Sequence, residues 1–323
     1  MLRTSILGGI AAALLATGAM AQAPAPAAPA ETQQPAQAPR PIPPQAFRTP
    51  EEGFAAFVAA LRARSEAQGV RILGSAGYRY LRSGDPVADR TARTRFLEAY
   101  DRKNEIVRPS PDRAILQIGD DAWPFAFPMA QRGGAWRFDA VAGGQELADR
   151  RIGRNELDTI ETLRAVADAQ ADYARTAGRH GAFQAYARRF FSTPDQRDGL
   201  YWPTREGEAP SPLGPLAAAA SSGGYARRQG DAPQPYHGYT FRILEAQGPD
   251  APGGAIDYVV NGRMIGGFAV IAVPARYGVS GIMTFMISHH GTVWERDLGP
   301  DTAREAARIT AFDPGEGWTR VAE

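Results

Sequence analysis

The stretch Arg150–Gly178, RRIGRNELDTIETLRAVADAQADYARTAG, decides the fold, because the chain changes character on either side of it. The Asn155 side chain is placed to accept a backbone N–H bond as an N-cap, with Asp158 three residues on as in a capping box. Glu156 and Asp158 put negative charge in the first turn, where the helix dipole favours it. Leu157, Ile160, Leu163, Val166 or Ala167, Gln170, Tyr173 and Ala177 recur at three- and four-residue spacing, so one face is largely apolar. Arg164 and Asp168 are spaced to pair on the other face. Gly178 suits the position just past the end. The spacing predicts one amphipathic helix. Arg150, Arg151 and Arg154 then stand at its start, either as a solvated basic entry to the helix or as an anion site or ion-pair cluster.

Before this helix the pattern is mixed. Thr49–Ala67 reads as a helix with Thr49 as cap and Pro50 at its first position. Phe54, Phe57, Val58 and Leu61 form its buried face. Asp89–Lys103 is a second helix. Arg113–Ile118 alternates as a strand, Trp123–Pro128 suits an edge strand, and a Gly133-Gly134 turn leads into Ala135–Val141. After the helix, Phe183–Phe191 reads as a short amphipathic helix, and 192–234 as a long loop pinned by Tyr201 and Trp202. From Gly238 onward Tyr239–Ala246, Ala255–Asn261, Gly266–Val273, Gly281–Ser288 and Thr292–Asp297 read as a meander, closed by a helix over Asp301–Thr310. The fold class is therefore α+β. The boundaries divide a folded N-terminal α+β domain, 47–149, from a helix-plus-antiparallel-sheet domain, 150–323.

The chain opens with Arg3, an apolar run from Ile6 to Met20 and the small-residue sequence Ala19-Met20-Ala21. This predicts a signal peptide over 1–21, cut after Ala21, and a periplasmic or secreted protein. A Pro/Ala/Gln-rich tether follows over 22–46. No second segment is apolar enough to span a bilayer. Losing Arg3 with the signal leaves 35 Lys plus Arg against 35 Asp plus Glu. A neutral chain argues against nucleic acid, and against strong attraction to anionic membranes. The absence of cysteine excludes thiol chemistry and disulfides.

In order along the chain stand SGDPVAD, WPFAFP, WRFD, RRIGRNE, AQADYA, DGLYWP, SPLGP, HGYTFRILEAQG, GGFAVIAVPARYG and DLGPDT. Together they resemble the exported bacterial family catalogued only as domain of unknown function twenty-nine-fifty, from about Phe47 to Trp318. That resemblance implies an exported protein and assigns no activity or catalytic residue. Separately, Asn155-Glu156 with Leu163-Arg164 and AQADY, followed by the meander, is similar to the globular half of type IV pilins and type II secretion pseudopilins. This implies a pilin-like C-terminal domain. The soluble domain ahead of it replaces the long apolar helix of pilins, so filament-subunit behaviour does not follow.

Candidate chemistry is sparse. His180, His237, His289 and His290 lack zinc-motif spacing, and no nucleophile elbow, P-loop or dinucleotide fingerprint is present. No cofactor or metal is expected. Asp85, Asp89, Asp139, Glu156, Asp198 and Asp297 could include a hydrolytic carboxylate pair, and His237 could serve as a base. The alternative is a binding surface for an envelope protein partner, drawn from Trp123, Phe125, Tyr201, Trp202, His237, Arg151 and Arg154, although the aromatics among them suit a packed core or interdomain seam better. The sequence thus leaves two functions open: a non-catalytic envelope interaction or assembly factor, and a periplasmic hydrolase.

Overall fold

A computed structural model describes residues 40–225 and 234–322. The expected signal peptide, most of the tether and part of the long loop lie outside the described residues. The architecture is α+β. The described residues from Pro41 onward form one compact unit.

Helix α1 (Pro50–Arg62) begins as expected, with Thr49 Oγ1 accepting from the Glu52 N–H at 3.2 Å. Helix α2 (Glu66–Tyr78) occupies the stretch after it, and a short 3₁₀ turn (Arg79–Leu81) leads to α3 (Pro86–Arg102). Strands β1 (Asn104–Ser110), β2 (Arg113–Ile118), β3 (Trp123–Pro124), β4 (Met129–Arg132) and β5 (Ala135–Phe138) make an antiparallel sheet in the order β1-β2-β4-β5, with β3 also on β2. Phe54, Phe57, Leu73, Leu116, Phe127 and Met129 fill the core between helices and sheet. The composition of the tether predicts a free segment as far as residue 46. Instead Ile42 and Gln45 bond to α2: the Ser75 N–H donates to the Ile42 carbonyl at 2.9 Å and the Gln45 N–H to the Arg71 carbonyl at 3.0 Å.

Helix α4 spans Ala140–Arg175 and so begins well before Arg150. Asp139, not Asn155, is its N-cap, accepting from the Ala142 N–H at 3.1 Å. Two adjacent glycines hide this start, because glycine is a poor helix former. Packing explains them. A Cβ on Gly143 would lie 2.4 Å from the Phe127 ring, and one on Gly144 2.4 Å from the Tyr80 ring. The expected boundary between Asp149 and Arg150 therefore falls inside a continuous helix. Leu147 packs on the first core, while Ile160, Leu163, Val166, Ala169 and Tyr173 belong to a second. Leu157, expected to be inward, is 67% exposed, and Arg164 pairs with Glu161 rather than Asp168.

Strands β6 (Arg179–His180) and β7 (Phe183–Gln184) form a hairpin after α4, and the chain then stays extended. The helix expected over Phe183–Phe191 does not form. The buried Gln170 side chain occupies both backbone groups of Ala187, donating to its carbonyl and accepting from its N–H, each at 2.8 Å. That pairing takes the bonds a helix would need. Helix α5 (Gly214–Ser222) interrupts what the sequence presents as loop.

Strand β8 (Tyr239–Leu244) opens the second sheet. Short pairs follow: β9 (Ala246–Gln247) with β10 (Ile256–Asp257), and β11 (Val259–Val260) with β12 (Arg263–Met264). Then come β13 (Ala269–Pro274), β14 (Met283–Ser288), β15 (Val293–Asp297), helix α6 (Thr302–Arg308) and β16 (Thr319–Arg320). The main sheet runs β16-β15-β14-β13-β8, antiparallel throughout. Asn261 and Gly262, both at positive φ, make the β11–β12 turn. Tyr239, Tyr258, Phe285 and Phe312 are fully buried between this sheet and its neighbours.

Candidate functional site

A polar cluster lies along α4 between the parts that pack on the first core and on the second. Asp85 precedes Pro86 and caps α3, its Oδ1 accepting from the Val87 and Ala88 N–H groups at 3.0 Å each. Its Oδ2 accepts from the Tyr225 hydroxyl at 2.7 Å and the Gly238 N–H at 3.1 Å. The carboxylate is wholly buried, so two donors on each oxygen replace the water it lost. Burial, then the hydrogen bond to Asp85 and that carboxylate's charge, push the Tyr225 hydroxyl far above its ordinary pKa. Asp89 accepts from the Ser83 N–H at 3.1 Å on both oxygens. Burial raises its pKa, against the lowering pull of those Ser83 bonds and of Arg151.

Arg151 donates from α4 to the Tyr80 carbonyl at 2.9 Å and the Val279 carbonyl at 3.5 Å. Arg276 donates to the carbonyls of Arg79, at 3.1 Å, and Arg82. Two guanidiniums thus cover carbonyls at the end of the 3₁₀ turn, where the dipole favours cations. Four residues past Arg151, Asn155 donates to the Ser280 carbonyl at 2.8 Å. Glu156 Oε1 accepts from the Ile282 and Met283 N–H groups at 2.9 and 3.0 Å, fixing the start of β14.

His237 adopts φ 50°, uncommon for a side-chain-bearing residue though tolerated by His. Its N–H donates to the Tyr225 hydroxyl at 3.3 Å, and its ring lies 4.2 Å from that of Tyr236, edge to face. Its Nδ1 is 3.1 Å from Asp158 Oδ2. Among the described residues Nε2 has no hydrogen-bond partner. This is the arrangement of a histidine oriented by a carboxylate with one nitrogen left open. Among the described residues, no three His, Asp or Glu side chains gather as metal ligands.

The other sequence candidates are dispersed. Arg151 and His237 belong to this junction; Arg154 is exposed on the outer side of α4. Phe125 is buried in the first core, 5.0 Å from both Phe57 and Phe96, so it offers no surface. Trp202 is likewise buried, in the second core, with Arg197 5.4 Å over its ring. Tyr201 is half-buried, edge-on to Phe191. Trp123 alone of the four aromatics is exposed, at 44%, and Arg150 lies 4.7 Å over it. Two open depressions, about 520 Å³ beside Arg296, Arg308 and Trp318 and about 390 Å³ beside Pro43 and Val141, include no junction residue.

Sequence reasoning missed Tyr225 and Asp158 as partners, since their contacts join distant segments. Asp85 carried a legible signal: an Asp directly before Pro at a helix start is a cap. All six acids proposed above for hydrolysis accept backbone N–H bonds, Asp139 from Ala142, Asp198 from Thr193 and Asp297 from Gly299 among them.

A family model described as Protein of unknown function (DUF2950) matches residues 44–321, and the chain belongs to that family. No curated protein and no solved structure matches the chain.

Proposed function

We propose that this family member is an exported cell-envelope protein that works by binding, as an interaction or assembly factor, rather than by catalysis. The observation that carries this reading is the use of the acids. Asp85, Asp89, Asp139, Glu156, Asp198 and Asp297 each hold a backbone N–H, so each has a structural task. Large apolar side chains are meanwhile left in water, Phe183, Ile256, Val260, Ile265 and Trp123 among them. A long helix against an antiparallel meander supports describing the C-terminal part as pilin-like in arrangement. Export rests on the Arg3–Ala21 segment.

The test has two arms in the native host. Fractionation with N-terminal mass analysis should place a chain beginning at Gln22 in the periplasm or medium. Photo-crosslinkers at position 183 or 260 should capture a reproducible envelope component that a crosslinker at exposed Arg154 does not. A cytoplasmic chain, or identical capture from all three positions, would sink the reading.

A second reading, a hydrolase with His237 as base, draws on the 3.1 Å contact between His237 Nδ1 and Asp158 and the open Nε2. It requires a hydrolytic activity on envelope esters, amides or glycosides that His237→Gln abolishes while the fold persists.

A further inference from the structure

The depression of about 390 Å³ beside the start of α4 is lined by Ile42, Pro43, Arg132, Arg137 and Val141 among others. Part of its wall is the segment 41–44, which lies on a kink in α2. Gly74 adopts φ 70° at that kink, and a Cβ on it would stand 2.8 Å from the Ile42 carbonyl oxygen and 3.0 Å from the Pro44 nitrogen. Glycine is what lets the segment approach so closely. The Ile42 N–H donates to Ser75 Oγ at 3.1 Å and its carbonyl accepts the Ser75 N–H at 2.9 Å, so this wall is fixed. Ile42 is nevertheless 50% exposed, and Val141, on the first turn of α4, 78%.

A second part of the lining is basic. In the β4–β5 register Ala130 pairs with Arg137 and Arg132 with Ala135. Opposed residues share a face, as do residues two apart on one strand, so Arg132 and Arg137 project from the same face. Diagonal neighbours of this kind lie about 7–8 Å apart, within reach of each other's long side chains. Both are exposed, and neither has a carboxylate in ion-pair range among the described residues. Asp139, the one acid in the lining among the described residues, accepts the Ala142 N–H as the cap of α4. We infer that this depression binds a carboxylic acid with an aliphatic tail, its carboxylate between Arg132 and Arg137 and its tail on Ile42, Pro43 and Val141. Guanidinium forks match a carboxylate, and a tail over Ile42 and Val141 removes apolar area from water. The volume is that of a small-ligand site. The wall itself favours an acyl tail over a peptide terminus. Pro41, Pro43 and Pro44 have no N–H and the Ile42 N–H is held by Ser75, so the segment has no donor for a peptide carbonyl.

Such a site is independent of the envelope-binding reading and of export. Octanoate is titrated into the purified, isotope-labelled chain from Gln22, with octanol and acetate as controls, and backbone amide shifts are followed by NMR. Octanoate should shift the amides of Ile42, Arg132, Arg137 and Val141 saturably. Octanol, which lacks the charge, and acetate, which lacks the tail, should do so much more weakly. Arg132→Gln and Arg137→Gln should each weaken octanoate binding by up to roughly five-fold, the range for one exposed charge contact. Val141→Ser should weaken it roughly three-fold through lost apolar contact. Asp139→Asn should tighten it, since asparagine caps a helix as well as aspartate but carries no charge. Amide spectra unchanged away from the depression confirm that each variant folds. Equal shifts from octanol and octanoate, no saturable shift at these residues, or indifference to both arginine substitutions overturns the inference. A leucine-terminated peptide that binds here as its free acid but not as its amide, where octanoate does not bind, would also overturn it and give the depression to a protein terminus.

Discussion

Asp85 Oδ2 and the Tyr225 hydroxyl are 2.7 Å apart across 140 residues of chain. The bond joins the cap of α3 to the segment after α5, and the Gly238 N–H shares the same oxygen. Asp85→Ala removes a helix cap and strands several buried donors at once. It should cost about 3–5 kcal/mol, a cap contributing about 1 and each orphaned buried donor about 1–3. Tyr225→Phe deletes one bond to a charged group and should cost about 1.5–3 kcal/mol. Urea unfolding of the two single variants and the double checks this, and the double should lose less than the sum because the groups share one network.

Gln170 gives a second, cleaner case. It is fully buried, and its amide serves both backbone groups of Ala187. Gln170→Leu fills similar volume but leaves an N–H and a carbonyl unpaired, so a loss of about 2–4 kcal/mol is expected. Gln170→Glu keeps the acceptor for the Ala187 N–H but sets an acid against the carbonyl. It should lose more at neutral pH than in acid, where a protonated carboxyl can donate. Melts at the two pH values separate the cases.

His289 carries a pH dependence with a defined sign. Its Nδ1 is buried without a partner among the described residues, against Gly267, Tyr258 and Phe268. Burial first, and the neighbouring His290 second, lower its pKa below the ordinary 6.5, against a smaller raising effect of the Phe268 backbone. The unfolded chain therefore binds a proton at a pH where the folded chain does not. This site's contribution is fully present above 6.5 and is lost as pH falls toward the depressed folded value. Asp89, whose pKa is raised, acts with the opposite sign, losing stability as pH rises above 3.8. Thermal melts of the wild type should weaken from neutral pH into the mildly acid range, and His289→Gln should flatten that slope. An unchanged slope would refute the assignment.

Local chemistry is legible in the sequence; long-range pairing is not. Thr49-Pro50 announces α1, Arg113–Ile118 matches β2, and alternation with Asn261-Gly262 locates the meander, because caps, period and turn residues act within a few positions. Phe183–Phe191 misleads because its helical spacing competes with a side-chain amide from Gln170, which only the tertiary fold brings near. Among the site candidates, Asp85, Arg151 and His237 all lie at the junction, but their partners, Tyr80, Tyr225 and Asp158, come from distant segments. Trp202 and Phe125 stand among the surface candidates because an aromatic in a Pro-rich stretch reads the same whether it lines a groove or fills a core.

The glycines of α4 give a prediction in which two identical substitutions in one helix act with opposite signs. Alanine is the better helix former by about 0.8–1 kcal/mol, so Gly→Ala stabilises wherever the site has room. Around Gly153 nothing lies within 4 Å of an added methyl, so Gly153→Ala should gain most of that amount. At Gly143 the methyl would meet the Phe127 Cα at 2.6 Å as well as its ring at 2.4 Å. A side-chain tip could swing away, but a backbone atom in the first core cannot. Overpacking of this kind costs about 1–3 kcal/mol, which exceeds the propensity gain. Gly143→Ala should therefore lower the melting temperature while Gly153→Ala raises it. If both substitutions stabilise, Gly143 is not a packing glycine and the close approach of α4 to Phe127 is wrong.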